Sequence, residues 1–473
     1  MDTIIDVVNK IFWSYLLIYG LLALGLYFTV RLFFVQFALF PEMLRNVIGR
    51  KGKDSAGITP FQALCTSLAS RVGTGNIAGV AVALYLGGPG AIFWMWMVAT
   101  LGMATAYAES TLAQLYKTRN EDGDYRGGPA FYMAHGLKAP WAGALFSVCL
   151  ILAFGLVFNA VQANSIAESM EGAFGFSRLW VGIGLALATG FVIFGGIRQV
   201  ARVSEVVVPF MALAYLLVTL YVIVVHINEV PRVFGMIIGS AFGLDAAAGG
   251  VAGAMLNGVK RGLFSNEAGM GSAPNIAAVA TPDPHHPSSQ GLVQALGVFI
   301  DTLLICSATA FLILLSGTLA PGSGLTGTPL TQAAMRMHIG AAGDDFVAIA
   351  IFFFAFTSII GNYSYAENAM TFLRAGGRTG ITLLRLGVLA MVVWGALESV
   401  TTVFNAADAS MGLMATVNMI AIVLLSGTVA KLTHDYRRQR KAGVKPVFDI
   451  AHFPELASKV DKTIWSRPAE PKI

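Results

Sequence analysis

Charge is what this chain has least of. Of its 473 residues only 12% are Asp, Glu, Lys or Arg, while 56% are hydrophobic. A water-facing globular chain carries roughly 25% charged residues, so a mostly hydrated surface is excluded. Cysteine is also scarce. Cys65, Cys149 and Cys306 lie in separate apolar segments, which gives neither a metal-binding spacing nor a disulfide framework, and they read as small buried hydrophobes. No cleavable signal is expected at the start: Asp2 and Asp6 precede a long apolar run, which suits a first membrane span better than a signal peptide. No composition break marks a separate soluble domain.

What is present is apolar length. Mean hydropathy is +0.69. Many runs reach about 20 apolar residues, enough to cross a roughly 30 Å hydrocarbon core as a helix. A spanning helix bonds its backbone internally, so helices are expected rather than a barrel. Eleven spans are read, near 11–36, 60–86, 88–117, 139–168, 178–197, 203–227, 248–281, 288–317, 343–373, 380–398 and 403–431. The 52 glycines allow close helix contacts and breaks within helices.

The net charge of +5 suggests a nucleic-acid or acidic partner until the charges are placed. Arg45, Arg50, Lys51 and Lys53 follow the first span. Lys117, Arg119 and Arg126, mixed with Glu121, Asp122 and Asp124, follow the third. Arg198 and Arg202 follow the fifth, Arg374 and Arg378 the ninth, and Arg437, Arg438, Arg440 and Lys441 the last. If the spans alternate, all of these fall on one side, which is then cytoplasmic. The N-terminus is expected outside and the C-terminus inside, with no nucleic-acid partner. The tail 432–473, with Pro446, Pro454, Pro468 and Pro471, reads as a short, partly disordered cytoplasmic extension.

Two spans are polar where lipid-facing helices are apolar. The second runs Leu68-Ala69-Ser70-Arg71-Val72-Gly73-Thr74-Gly75-Asn76-Ile77-Ala78-Gly79, and the seventh contains Lys260 to Gly269. Each Gly in a helix interior costs about 1 kcal/mol against Ala, and freed backbone survives in a membrane only under protein or beside a wet cavity. Aligning Arg71 with Arg261 also aligns Asn76 with Asn266, Ala78 with Ala268 and Gly79 with Gly269, at one offset of 190 (261 − 71). The two spans run in opposite directions, and each opens a run of five. That is the pattern of inverted repeats around a transporter's binding site: an extra helix 11–36, repeat one at 60–227 and repeat two at 248–431. The half-helix N-termini suit a carboxylate and the unwound carbonyls suit Na⁺. On this reading the backbone N–H groups of Thr74 and Gly75 hold a substrate carboxylate. Asn76 and Asn266 line the site or bridge the broken helices.

The run Arg71 to Ala81, then Gly87-Gly88-Pro89-Gly90-Ala91-Ile92-Phe93-Trp94-Met95-Trp96, resembles the alanine/glycine:cation symporter family. So do Tyr125-Arg126-Gly127-Gly128-Pro129, Val161-Gln162-Ala163-Asn164-Ser165, and Arg261 through Gly271. The likeness extends from about 10 to 435. It implies the LeuT-type five-plus-five fold in a bacterial or archaeal cytoplasmic membrane, with import of alanine or glycine coupled to Na⁺, or sometimes to H⁺. It implies that Gln162 contacts substrate, and that Thr357 and Ser358 face carbonyls near Ala69 and Val72 to bind Na⁺. Phe264 and Ser265 are expected to break span 7 and cap the pocket, with Asn362 in reach. Arg71 and Arg261 are intramembrane charges. They are expected to serve the cytoplasmic and outer gates, or to pair with Glu109, Glu267 or Asp301. His285 and His286 read as a solvated loop.

Three rivals are weaker. A channel usually needs oligomeric symmetry and a ring of repeated residues, whereas here the symmetry and a complete pathway lie within one chain of unassigned oligomeric state. An intramembrane enzyme would need a metal or nucleophile set, and none emerges. A sensor would need an output domain larger than the tail.

Overall fold

In the computed structural model the described residues are 9, 12–48, 56–121, 123–243, 250–319 and 324–466. Arg50, Lys51 and Lys53 of the first basic loop lie outside them, as do Asp2, Asp6, Asp122, Pro468 and Pro471. Among the described residues the structure is helical apart from one hairpin of two-residue strands, Thr118–Arg119 against Tyr125–Arg126, with Thr118 opposite Arg126, and an isolated parallel bridge between Ile58 and Ala280.

Among the described residues seven helices are long and apolar enough to cross a membrane: Gly90–Leu115, Pro140–Phe174, Gly196–Val225, Pro287–Ser316, Ala342–Phe372, Arg378–Leu397 and Val400–Leu424. Ile18–Arg31 and Arg178–Ile193 are shorter apolar helices. Two further spans are each made of two pieces, Pro60–Arg71 with Gly75–Gly87, and Gly250–Asn266 with Pro274–Val279. The total is the eleven spans expected. We number the helices α1 (Ile18–Arg31), α2 (Phe40–Val47), α3 (Pro60–Arg71), α4 (Gly75–Gly87), α5 (Gly90–Leu115), α6 (Pro140–Phe174), α7 (Arg178–Ile193), α8 (Gly196–Val225), α9 (Val230–Ala241), α10 (Gly250–Asn266), α11 (Pro274–Val279), α12 (Pro287–Ser316), α13 (Gly327–Ile339), α14 (Ala342–Phe372), α15 (Arg378–Leu397), α16 (Val400–Leu424) and α17 (Ser426–Lys441). The short helices α9 and α13 join spans at the end opposite the basic loops.

That alternation is visible in contacts. Arg198 pairs with Asp124 at 2.5 Å, Arg440 with Glu42 at 2.5 Å, and Lys445 with Asp283. These pairs join the loops after spans 3 and 5, the tail with the stretch after span 1, and the tail with the loop after span 7. With the Trp465 indole N–H on the Leu115 carbonyl tying the tail to the end of span 3, the basic stretches after spans 1, 3 and 5 and the tail share one end of the bundle. At the other end His226 meets His338, ring centroids 5.1 Å apart.

Small residues set the packing around the broken helices. Gly258 and Gly262 stand one turn apart on α10 and let it lie on α5. A Cβ at Gly262 would come 2.6 Å from Val98 Cγ1, and one at Gly258 would collide with the Ala91 carbonyl. This is the close approach that small-xxx-small spacing permits in membranes. On the outside the surface stays apolar, with Leu187, Phe191 and Phe210 each more than 70% exposed, as lipid contact requires.

The tail corrects one expectation. It does not hang free: α17 continues into a strap in which Trp465 is fully buried and donates its indole N–H to the Leu115 carbonyl at 3.0 Å. His286 corrects another. It is fully buried under that strap, between the rings of Tyr436 and Phe448, with Nε2 3.4 Å from Asp435 Oδ2. The apolar residues Phe448, Leu456, Ile464 and Trp465 give the strap enough buried surface to dock.

Candidate functional site

The first broken helix starts with a capping box. The Thr59 hydroxyl accepts from Gln62 N–H, and the Gln62 side chain accepts from Thr59 N–H, both at 3.1 Å, satisfying two orphan donors. The helix stops at Arg71. Val72 leaves helical geometry with ψ 87°, and Gly73 turns its N–H to the Asn76 side-chain oxygen at 2.9 Å. Asn76 thus terminates the break from below. The Thr74 N–H, at the start of α4, points to Gln162 Oε1 of α6 at 2.9 Å. The Thr74 hydroxyl is buried without a partner. An unpaired helix N-terminus favours a negative acceptor, and here a neutral side-chain amide occupies it.

The second broken helix departs from expectation. Phe264, Ser265 and Asn266 form the last turn of α10 and do not break it. The unwound stretch begins at Glu267, with positive φ at Glu267 (58°), Gly269 (86°) and Gly271 (83°). Two of those three are glycine, which adopts this conformation at little cost. The repeat echo therefore aligns side chains and not the breaks themselves. Asn76 and Asn266 do not meet: Asn266 Oδ1 accepts from the Ala268 N–H at 3.0 Å, and Asn76 donates to Asp301 Oδ1 at 2.8 Å.

The two pieces converge at Gly75. A Cβ there would come 3.1 Å from Phe264 Cδ1 and 3.2 Å from Ser265 Cα, so glycine lets the helices touch. A Cβ at Gly73 would collide with Ser358 Oγ, and one at Gly361 would come 2.9 Å from the Ser70 nitrogen. α14 therefore lies along the end of α3, the stretch that contains Ala69 and Val72. Thr357 and Ser358 donate their hydroxyls to the Phe354 carbonyl at 2.9 and 3.0 Å. These are the back-bonds of helical Ser and Thr, and they leave the oxygen lone pairs unused. Asn362 sits one turn further along, joined to Ser70 at 2.6 Å and to Asn159 at 3.1 Å.

Above this centre runs a stack of four rings. Phe154 and Phe158 lie 4.5 Å apart, Phe158 and Phe264 4.8 Å, and Phe264 and Phe404 5.6 Å, with interplanar angles below 30°. It links α6, α10 and α16. The Arg261 guanidinium lies 5.5 Å from the Phe264 ring and 5.3 Å from that of Phe404. Its ion partner is Asp408 of α16, engaged at 2.9 and 2.7 Å through Nη2. The same carboxylate takes Lys260 at 2.5 Å. Arg261 thus pairs with none of the three carboxylates expected from sequence. Arg71, unlike Arg261, forms no direct ion pair among the described residues. It donates to the Gln294 carbonyl at 3.2 Å, with Nε and Nη2 unpartnered. It therefore pairs directly with none of Glu109, Glu267 and Asp301.

The three acids have separate tasks. Glu109 accepts the Gly269 and Gly271 N–H groups at 3.2 and 3.1 Å and Asn418 at 2.8 Å, so it holds the unwound turn. Glu267 contacts Ser70 at 2.6 Å and Ser272 at 2.5 Å. Asp301 is fully buried and bonded only to neutral donors: Asn76 at 2.8 Å, Ser265 at 2.9 Å and Thr302 at 2.6 Å. It lies between both broken helices; the sequence offered it as a partner for Arg71 or Arg261 and not as a lining residue. The available signal was an acid in the middle of the apolar run 288–317.

The profile of the sodium:alanine symporter family matches residues 1–450. The amino-acid carrier protein AlsT of Bacillus subtilis is 47% identical over 456 residues, covering 96% of each chain. The probable sodium/glutamine symporter GlnT of the same organism is 49% identical over 450 residues, covering 95% of this chain and 93% of its own. The sodium/alanine symporter AgcS of Methanococcus maripaludis is 40% identical over 453 residues, covering 94% of this chain and 99% of its own.

Proposed function

This chain belongs to the sodium:alanine symporter family, and from that premise we propose that it imports alanine or glycine together with Na⁺ by alternating access. It is a multi-pass membrane transporter and not an enzyme. The observation that carries the finer reading is the meeting of the two broken helices at Gly75, with the Thr74 N–H held by a neutral stand-in, the Gln162 oxygen.

A substrate carboxylate displaces that oxygen. An ionised acceptor on a helix N-terminus bonds about twice as strongly as a neutral one, so the exchange favours substrate. The freed Gln162 amide then turns to the substrate. Phe264, pressed on Gly75 and locked in the ring stack, limits the side chain to hydrogen or methyl, which disfavours an amino acid as long as glutamine. Asn76, Ser265, Asn266 and Asn362 complete the polar lining.

Two oxygen sets suit Na⁺. One is Thr357 and Ser358 with the carbonyls near Ala69 and Val72. The other is Asp301 with Asn76 and Ser265, where an ionised carboxylate bonded only to neutral groups attracts a cation strongly at low dielectric. Na⁺ and substrate bound here pull the broken helices together. Arg261 with Asp408 and the ring stack closes the outer side, and Arg71 serves the inner side. The basic loops and tail then face the cytoplasm.

The test is uptake of labelled alanine and glycine by proteoliposomes with an inward Na⁺ gradient, beside a Thr357→Ala/Ser358→Ala variant. Accumulation that needs Na⁺ and collapses in the variant is the expected result. Accumulation that follows a proton gradient and ignores Na⁺ contradicts the sodium assignment.

A further inference from the structure

The seam between α1 and the pair α16 and α17 changes character along its length. Its first part is a groove of about 440 Å³ between Gly20, Leu24 and Tyr27 of α1 and Met419, Ile420 and Val423 of α16. Gly20 opens it, since a Cβ there would come 2.8 Å from Met419 Cε. The groove is apolar throughout except for the Tyr27 hydroxyl, which bonds Ser426 Oγ at 2.9 Å. Ser426 begins α17, and there the seam turns basic. A second cavity of about 750 Å³ is lined by Arg31 of α1, by Gly427, Lys431, His434 and Arg438 of α17, and by His452 of the tail. The two cavities lie on one line. Tyr27 and Arg31 are one turn apart on α1, and Val423, Gly427 and Lys431 continue the opposite wall at the same spacing.

The change falls where a membrane would end. Phe33, Phe34 and Phe37, which follow Arg31, are exposed, and large apolar rings beside basic residues belong at the boundary of headgroups and acyl chains. The cations there are unevenly engaged. Asp435, the acid among the described residues lining the cavity, takes Arg438 at 2.7 Å and lies 3.4 Å from His286. Lys431 reaches Glu455 at 2.7 Å, with both side chains exposed, and such a surface pair is weak. Arg31 has no ion-pair or hydrogen-bond partner among the described residues.

We propose that this seam binds one anionic phospholipid, with its phosphodiester between Arg31, Lys431 and the two histidines and an acyl chain along the groove. Basic pockets between membrane helices hold such headgroups. Charge selects the lipid class, because a zwitterionic headgroup brings its own cation into the same cavity. The groove selects a lipid over a soluble phosphate, which would meet the cations and leave the apolar walls untouched. In the orientation proposed above, the lipid comes from the cytoplasmic leaflet. It ties α1, the helix outside the two repeats, to α16 and to α17, from which the tail departs. Binding needs no transport, so the proposal stands apart from the carrier reading.

Native mass spectrometry tests it on the full chain, purified in a neutral detergent and stripped of lipid. Bound lipids are counted during titration with dioleoylphosphatidylglycerol or dioleoylphosphatidylcholine. The parent is expected to take one phosphatidylglycerol at concentrations that leave phosphatidylcholine unbound. One basic residue near the membrane surface is worth about fivefold in affinity. Arg31→Gln therefore weakens this first binding about fivefold and Arg31→Glu about 25-fold, while Arg31→Lys retains it, because a point charge suffices for a phosphate. Gly427→Trp fills the cavity without touching charge: a Cβ at Gly427 meets nothing within 4 Å, and the indole is expected to exclude the first lipid. Excess inorganic phosphate is expected to leave phosphatidylglycerol bound. Equal retention of the two lipids by the parent overturns the proposal, and this comparison needs no variant to fold. Displacement by inorganic phosphate overturns it in favour of a soluble-anion site. An affinity unchanged in Arg31→Glu and in Gly427→Trp overturns it as well.

Discussion

Asp408 carries two cations in a nearly dry place, and removing its charge has a consequence that can be sized. The Arg261 and Asp408 side chains are 5% and 2% exposed and that of Lys260 is 18% exposed. Truncating one partner of a buried ion pair costs about 3–5 kcal/mol, because the remaining charge stays buried and unpaired. In Asp408→Ala that penalty falls on the sealed state alone, since opening the stack lets water reach Arg261. At about 1.4 kcal/mol per factor of ten, the closed-to-open ratio drops by about two to three and a half orders of magnitude. Cys306 is a reporter already in place. It is 2% exposed, and its sulfur lies 3.2 Å from Oγ of Ser265, the residue that follows Phe264. Alkylation of Cys306 by an impermeant thiol reagent, mapped by mass spectrometry, accelerates in proportion to the open fraction. The double variant Arg261→Gln/Asp408→Asn removes the most deeply buried pair, leaves only the part-exposed Lys260 without its partner, and recovers most of the sealing, which separates a gate from a general loss of fold. An alkylation rate unchanged in Asp408→Ala refutes the latch. A rate equally raised in the double variant shows that packing, not charge, holds the stack.

Two further outcomes follow from other sites. Asp301→Asn keeps the hydrogen-bonding shape and removes the charge; a unit charge a few ångströms away is worth about 4 kcal/mol at an effective dielectric of 20, so the Na⁺ concentration for half-maximal uptake rises by at least about tenfold, and an unchanged value rules out Asp301 as the sodium ligand. At the tail, His286 Nδ1 accepts from Ser288 N–H at 3.1 Å, which leaves the hydrogen of the neutral ring on Nε2, facing Asp435. Burial pulls the imidazole below its ordinary value, and Asp435 offsets this only in part. The neutral form therefore supports docking above about pH 6.5, and that support is lost as acidification proceeds toward the lowered value. Spin labels at Ser458 and Glu121 are expected to separate at acid pH in the parent and not in His286→Gln, and equal separation in both contradicts the assignment.

Much of the architecture is legible in sequence because membrane physics repeats one rule per span. Apolar length gives the eleven crossings, and the side chosen by Arg198, Arg374 and the α17 cluster checks their count. The broken helices are visible because Gly73, Gly75 and Asn76 have no place in a lipid-facing helix. The register of the second break was misread because Phe264 and Ser265 look like an interruption, whereas the left-handed positions that end the helix are Glu267, Gly269 and Gly271. Partnerships were less legible. Arg261 and Asp408 are 147 residues apart, and Asn76 and Asp301 are 225 apart, distances over which a single sequence holds no pairing signal. The tail looked disordered from its prolines and charges, yet a few apolar residues ending in Trp465 suffice to dock it.

Coupling is the central claim, and reciprocity tests it most directly. In a symporter the amino-acid gradient must drive sodium just as sodium drives the amino acid. Proteoliposomes with equal Na⁺ on both sides, given an inward alanine gradient, are expected to accumulate radioactive Na⁺ transiently, and Asp301→Asn is expected to need at least about tenfold more Na⁺ for the same response. Alanine entry with no movement of Na⁺ would contradict the account.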